Sequence, residues 1–531
     1  MITAKELLKQ GRRSDVWSKY CGFYDIDLQE FMKIQNDLLL EQIQLLSKCE
    51  LGKKLMNQKA PQSVDAFRKD VPLTKYEDYE PYLTEKREDV LPSKPITWAR
   101  TSGRSSSETF KWAPIPNSIY TQFGEAVVAS LIVSSCSYKG DVKLEPGDIL
   151  LMMSAPPPYV SGIGTRSADE QMDVRFVPPL DKGEKMEFAE RIAEGFNLAM
   201  RMGLDYFYGL SSLLAAMGER FESGSTGAGF STKMLHPAII FRLVRAVIRA
   251  KLNKRSIAPS DIWNVKGIVT GGADTEIFRD KIKQYWGKMP LEAYGTTEGG
   301  ALALQAWNFK GMTLVPNTNF YEFIPQDEHI KNKQDPNYEP KTILVNEVTP
   351  GIYELVLTNL RGGIFTRYRI GDLIEVTSLR DDEAGIDLPQ IRFHARADDI
   401  IDLGGFARLT EKLVWSVIQK TDIEYVDWCA RKEESDKDGP IFHIYLELKP
   451  TNQLTIKQIT TKLNTAFREI SQEFIDLEDI LGSYRLHVTQ LREGAFARYI
   501  EHQQESGADV AHIKPSHMQP SNKVVEKLLT R

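Results

Sequence analysis

The sequence predicts an α/β protein with a large N-terminal domain of mixed sheets flanked by helices, followed by a smaller α+β C-terminal domain. Three observations carry this. A length of 531 residues exceeds the ~250–300 that one hydrophobic core usually supports, so two or three domains are expected. Between Asp148 and Ala293, buried strand patterns alternate with amphipathic helix patterns, as in a sheet covered on both faces. Beyond Arg396 the pattern changes to a separate set of strands and helices, over a length ordinary for one domain. The expected domains are therefore 1–395 and 396–531.

Composition narrows the function. Hydrophobic residues make up 42% and charged residues 26%, with a formal net charge of −6. That balance is ordinary for a globular protein and gives no reason to expect nucleic acid as a partner. No apolar run approaches the ~20 residues that span a bilayer, and the start MITAKELLKQGRRSD lacks the apolar core of a signal peptide. Cys21, Cys49, Cys136 and Cys429 show no CxxC spacing and do not cluster with the histidines. Reduced thiols, a cytoplasmic location and small-molecule substrates are expected, with no membrane and no obligate protein partner.

Taken in order, the first hundred residues read as helical. Phe31, Ile34, Leu38, Ile43 and Leu46 form a core-facing stripe. Val71 to Leu83, VPLTKYEDYEPYL, reads as a turn into a short helix with Thr74 as its N-cap. Thr101 to Glu108 is a hydroxyl-rich loop with Lys111 close behind. Small hydroxyls and backbone N–H groups wrap a triphosphate while cations offset its charge. The same composition also suits a serine-rich surface loop. Asp148 to Ser154 is a buried strand, and the loop Ala155 to Gly164 follows it. There Tyr159, Ser161, Gly162 and Gly164 either line a substrate pocket or serve as turn residues. Phe188, Ile192, Phe196 and Met200 mark a helix, LDYFYGLSSLLAAM a strand and helix, and Pro237 the start of another helix.

The densest chemistry lies between Val265 and Gly300. VKGIVT is a strand, Gly271-Gly272-Ala273 a tight loop, Asp274 to Trp286 a helix, and LEA a strand that ends on Tyr294-Gly295-Thr296-Thr297-Glu298-Gly299-Gly300. Parallel pairing of the two strands brings both loops to one sheet edge and one ligand. A tyrosine face suits a purine, threonine hydroxyls a phosphate, and a carboxylate Mg²⁺. Phe320 to Pro325 reads as a sheet strand, as does Tyr353 to Thr358. A turn over Asn359 to Gly363 then leads to Arg367-Tyr368-Arg369-Ile370-Gly371-Asp372. A carboxylate at a strand end accepts hydrogen bonds from a ribose diol, which suits Asp372. Arg396, Asp398 and Asp399 precede Gly404-Gly405, a polar pivot between two bodies. The remainder reads as strands around Asp427 and over Ile441 to Lys449, a helix over Thr455 to Leu477, the strand RLHVTQL and a last helix in GAFARYIEHQQESG. Lys514 precedes Pro515, and the residues after Pro520 read as an ordinary tail.

Y-E-L-V-x-T followed by R-Y-R-x-G-D resembles the ribose-binding segment of the auxin-responsive (Gretchen Hagen) acyl acid amido synthetases. A-R-A-D-D resembles the hinge of the wider acyl-adenylating superfamily, Y-G-T-T-E-G its adenylate motif, and G-G-A-D its adenine loop. V-P-L-T-K-Y-E-D, F-Y-E-F-I-P and the ending G-A-F-A-R-Y-I…H-I-K-P resemble segments of the amido synthetases, the first with an architectural role. T-S-G-R-S-S-S-E departs from their phosphate loop. Arg104 replaces a hydroxyl, Ser106 and Ser107 replace glycines, and one residue is inserted before Lys111.

The resemblance implies ATP and Mg²⁺. It implies phosphate contacts from Thr101, Ser102 and Ser105, an adenine loop of Gly271, Gly272 and Ala273, and an adenylate motif of Tyr294, Gly295, Thr296 and Thr297. Tyr294 would stack on adenine, Thr297 touch the α-phosphate, Glu298 hold magnesium and Asp372 bind ribose. Arg396 belongs to the hinge and the nucleotide site, and Lys514 would reach the reacting carboxylate, although lysine is also the commonest of solvated surface residues. A pivot at Asp398 makes the second domain a mobile lid. The expected reaction forms an acyl-AMP from a carboxylic acid, releases pyrophosphate and passes the acyl group to an amine, with an amino acid as the expected acceptor. An acyl-CoA ligase of the phenylacetate–CoA type and a catalytically silenced nucleotide-binding relative are the alternatives.

Overall fold

The computed structural model describes residues 2–104, 110–222, 236–271, 275–335, 337–397, 399–403, 407–435, 439–471, 474–475, 486–505 and 516–530. The chain forms two compact units. The first comprises residues 1–370 with 374–393, and the second 371–373 with 394–531.

The N-terminal segment is helical through Leu83. Its longest helix, Leu28–Leu46, starts where the Asp27 carboxylate accepts from the Glu30 N–H at 2.8 Å. The buried stripe is Phe31, Gln35, Leu39, Gln42, Ile43 and Leu46, so two glutamines stand where Ile34 and Leu38 were expected. Both are hydrogen-bonded, which makes their burial affordable. Gln35 Nε2 donates to the Asn319 carbonyl at 2.7 Å, and Gln42 Nε2 to that of Gly363 at 2.7 Å. Thr74 is not an N-cap. It forms a bridge to Tyr368, and its hydroxyl donates to the Thr366 carbonyl at 2.7 Å. The VPLT segment therefore extends a sheet instead of opening a helix.

The strands follow. β1 (Pro95–Arg104) and β2 (Phe110–Pro116) form an antiparallel hairpin. Then come β3 (Ile149–Met152), β4 (Arg175–Val177), β5 (Tyr206–Leu210), β6 (Gly267–Gly271), β7 (Pro290–Thr296), β8 (Gly300–Gln305), β9 (Met312–Leu314), β10 (Asn319–Pro325), β11 (Gly351–Asn359), β12 (Tyr368–Ser378) and β13 (Gln390–Arg396). These eleven make one mixed sheet in the order β10-β11-β12-β13-β9-β8-β7-β6-β5-β3-β4. From β4 to β7 it is parallel, and at β7–β8 it turns antiparallel. Helices separate the parallel strands, including Pro237–Leu252 and Thr275–Trp286, as the alternation predicts. Trp263 and Trp286 stack in the core beneath them, with ring centroids 5.8 Å apart.

Two further expectations need correction. The segment after β3 is not a loop through Gly164, because a helix starts at Val160 and runs to Gln171. Gly162 is needed there because a Cβ would strike the backbone of Pro156 and Pro157. Asp372 lies within the eleven-residue β12 and not at a strand end.

In the second unit β14 (Ile401–Leu403) and β15 (Ala407–Leu409) pair antiparallel. β16 (Tyr425–Ser435), β17 (Gly439–Leu448) and β18 (Leu486–Leu491) form a separate sheet, antiparallel then parallel. Strand alternation sends Trp428, Ala430, Ile444 and Leu446 to one core with the helix Ile456–Ile470. Cys429 and Tyr445 face a second core with Phe496, Val525 and Leu528. The tail after Pro520 is thus a docked helix, Asn522–Leu529. Among the described residues all four cysteines are free and buried, and no helix is long and apolar enough to cross a membrane.

Candidate active site

β6 and β7 run parallel and end on the same side, as expected, which brings Gly271 close to the β7 backbone. β7 carries Tyr294, Gly295 and Thr296 to a reversal that returns as β8. The reversal depends on its glycines. Gly300 has φ +67°, and a Cβ there would run into the Phe123 ring. The Gly299 N–H donates to Thr296 Oγ1 at 2.9 Å, closing the turn around Thr297 and Glu298.

Two buried asparagines hold this turn from below. Asn359 Nδ2 donates to the Glu298 carbonyl at 2.9 Å and to Asn319 Oδ1 at 2.9 Å. Asn319 Nδ2 donates to the Gly299 carbonyl at 2.7 Å. The sequence placed Asn359 at the start of a turn. It is instead the last residue of β11, paired with Asn319 across the ladder.

Tyr76, in the VPLTKYEDYEPYL segment, is bonded to β2. Its hydroxyl accepts from the Trp112 N–H at 2.6 Å and donates to the Trp112 carbonyl at 3.1 Å. The Lys111 ammonium lies 4.9 Å from its ring centroid. Burial pushes the Tyr76 hydroxyl up to about 12; the Trp112 hydrogen bond opposes this and the nearby Glu298 charge adds to it. Tyr76 is therefore neutral at physiological pH and is held on the Lys111 strand, within electrostatic range of Glu298. Thr101 is buried at the end of β1, so the hydroxyl-rich segment begins as strand, not loop.

Tyr294 is 9% exposed, and its ring packs on Phe393 with centroids 5.9 Å apart and planes tilted by 51°. Thr297 and Glu298 are half-buried at the crest of the turn.

In the second unit Arg396 Nε lies 3.7 Å from Asp372 Oδ1, an ion pair longer than a hydrogen bond. Gly371 lies within β12 with φ +79°, and its carbonyl accepts from the Ala397 N–H at 2.8 Å. Asp372 is buried, and the Arg396 side chain is 58% exposed. Ser105, Gly272, Ala273, Asp398 and Lys514 lie outside the described residues, and of Ser102 only the backbone is described.

The arginines of the RYR packet are not ligand groups. Arg367 makes a two-pronged pair with Glu322 of β10, Nε to Oε2 at 3.0 Å and Nη2 to Oε1 at 2.9 Å. It also donates to the carbonyls of Arg68 and Val71. Arg369 pairs in the same way with Glu354 of β11, both contacts at 2.7 Å, and His329 Nδ1 lies 2.5 Å from that carboxylate. Burial alone would raise the Glu354 carboxyl, but Arg369 and His329 outweigh it and hold it at about 2. Segments that recur as motifs along the sequence are thus bonded to one another in space.

Residues 25–167 match the GH3 family N-terminal domain, and residues 312–396 match the GH3 family central domain. Over these two stretches the chain is similar to the GH3 family. The two matched regions contain Tyr76, Thr101 and Lys111 on one side, and Asn319, Asn359, Asp372 and Arg396 on the other. No curated protein matches it by sequence. Among solved structures it is similar to the GH3.15 acyl acid amido synthetase, with TM-score 0.66 and 13% identity over 99% of this chain and 96% of that one. It is also similar to 2-hydroxyisobutyryl-CoA ligase in the postadenylation state with 2-HIB-AMP, with TM-score 0.57 and 13% identity over 91% and 94%. At such identities the likeness establishes the fold, which is that of adenylating ligases.

Proposed function

We propose that this ligase is an ATP-dependent acyl acid amido synthetase. A carboxylate attacks the α-phosphorus of ATP, pyrophosphate leaves, and an amine displaces AMP from the acyl-AMP to give the amide. The amine is an amino acid in this reading. One observation carries it: the Tyr294–Gly300 turn stands at the carboxyl end of the parallel pair β6–β7, clamped by Asn319 and Asn359. Open α/β sheets bind ligands at this position. The transfer needs positioning and charge neutralisation more than covalent help.

Tyr294 is the adenine platform, with Gly271, Gly272, Ala273 and Gly295 around it. Thr296 shapes the turn that presents Thr297 to the α-phosphate. Thr101, Ser102, Ser105 and Lys111 serve the outgoing phosphates. Asp372 accepts from the ribose hydroxyls, oriented by Arg396. Lys514 neutralises the reacting carboxylate, and the pivot at Asp398 exchanges the two half-reactions. Glu298 would hold magnesium, which supplies charge neutralisation at the phosphates when bound. Among the described residues no group of three His, Cys, Asp or Glu forms a cage. A single carboxylate fits an ion that shares its coordination with substrate phosphates and water.

The test is exchange of labelled pyrophosphate into ATP with purified protein, magnesium and a panel of carboxylic acids, then addition of amino acids or coenzyme A. Exchange with one acid class and amide product supports the reading. Thioester product favours the second reading, an acyl-CoA ligase, to which the likeness to 2-hydroxyisobutyryl-CoA ligase lends weight. Tight ATP binding without exchange for any acid would leave the silenced relative.

A further inference from the structure

The helix Pro237–Leu252 holds Ile240, Phe241, Val244, Val247, Ile248 and Leu252 in solvent, with Phe241 69% and Leu252 77% exposed. At ~100° per residue these six fall on one arc of roughly 140°. The buried Ile239, Ala246 and Ala250 fall on the far side, packed into the unit. Other exposed large apolar side chains among the described residues stand singly on separate elements, which is normal. Six on one helix face is not.

Along the chain, the charge on and next to this helix is one-signed. Between Glu222 and Asp261 the sequence has no acidic residue, whereas Arg242, Arg245, Arg249, Lys251 and Lys254 lie on or just after the helix. Arg255 is neutralised by Asp261, with contacts of 2.7 and 2.8 Å. In a chain of net charge −6 this is a local inversion that whole-chain composition averages away. A second copy docked by two-fold symmetry would set the same basic rims against each other. A clamp that encircles its target helix is blocked by the packed Ile239–Ala250 side. An apolar stripe with a basic border and one anchored face fits a flat, anionic, apolar-cored surface. We infer that the Pro237–Leu252 helix docks the protein on the interface of an anionic lipid bilayer, lying on it without crossing.

The test is flotation of the intact protein with phosphatidylcholine vesicles, with and without phosphatidylglycerol. The expected result is binding only with phosphatidylglycerol, weakened by salt. Arg249→Gln/Lys251→Gln should lower partitioning by at least tenfold, since each removed cation counts for roughly fivefold. Phe241→Ser/Leu252→Ser should abolish it while leaving the melting temperature unchanged, because both side chains already stand in water. Failure to float with phosphatidylglycerol overturns the inference, as does wild-type binding by both variants. So does a dimer in light scattering that Phe241→Ser/Leu252→Ser converts to monomer, which would make the face a self-association surface. None of these readouts uses ligase activity, so the inference stands or falls apart from the proposed reaction.

Discussion

Asn359 Nδ2 stands 2.9 Å from the main-chain carbonyl of Glu298 and donates to it. A buried amide on one strand thereby fixes the backbone of an acidic residue 61 positions earlier. Its own Oδ1 is occupied by the Phe365 N–H at 3.1 Å, so the amide cannot flip without losing partners.

Asn359→Ala is expected to lower stability by about 1–3 kcal/mol, the range for leaving buried polar partners unsatisfied. It should also lower kcat for pyrophosphate exchange more than it raises KM for ATP, because the turn loosens at Glu298, the proposed magnesium residue. Urea denaturation and exchange kinetics check this. A stability loss with unchanged kcat would confine Asn359 to the fold.

Gly300→Ala meets both a left-handed backbone and the Phe123 ring. Strain at such a position costs on the order of 1–3 kcal/mol, and the turn must move to relieve it. A fall in melting temperature together with loss of exchange is expected. Gly385→Ala has φ +64° but open space around its Cβ, so it is the control that shows strain alone.

Asp372→Asn should raise KM for ATP about tenfold or more, since charge-assisted hydrogen bonds are worth ~1.5–3 kcal/mol. An unchanged KM would remove Asp372 from the ribose. The Arg396 contact, at 3.7 Å and half in solvent, is too weak to account for a large stability loss.

The two units should respond oppositely to pH. Glu354 sits at about 2 in the folded chain, below its ordinary 4.5. Its contribution is present above pH 4.5 and is lost as pH falls from there towards 2. His517 is raised to about 9 from 6.5: burial would lower it, but Asp427 at 2.9 Å and Glu411 at 2.5 Å outweigh that. Its contribution is full below pH 6.5 and is lost as pH rises through 9. The stability gap between wild type and His517→Gln should therefore close between those values, and the gap for Arg369→Met should close at acid pH. Urea midpoints across pH measure both.

The parallel pair β6–β7 and the Tyr294–Gly300 turn were legible because periodicity and glycine spacing are local signals. The supports were not. Asn319 and Asn359 carry no pattern of their own, and only strand register brings them together. Glu322, Glu354, Arg367 and Arg369 stood inside quoted motifs, yet a sequence does not say which acid neutralises which arginine. The helix from Val160 was hidden by its serine and glycines, which favour turns locally but pack closely here. The terminal helix had a readable signal in Val524, Val525, Leu528 and Leu529.

Arg367 also sets a timetable for synthesis. Its guanidinium donates to the carbonyl of Arg68 across 299 residues. At the ~5–20 residues per second of translation, the partner emerges roughly 15–60 s after its acceptor. Until then the helices before β1 lack the surface they close against, including Phe320 beside Phe67. A nascent chain in that interval exposes apolar faces to the cell, so yield on expression should depend on chaperone supply and improve at low temperature.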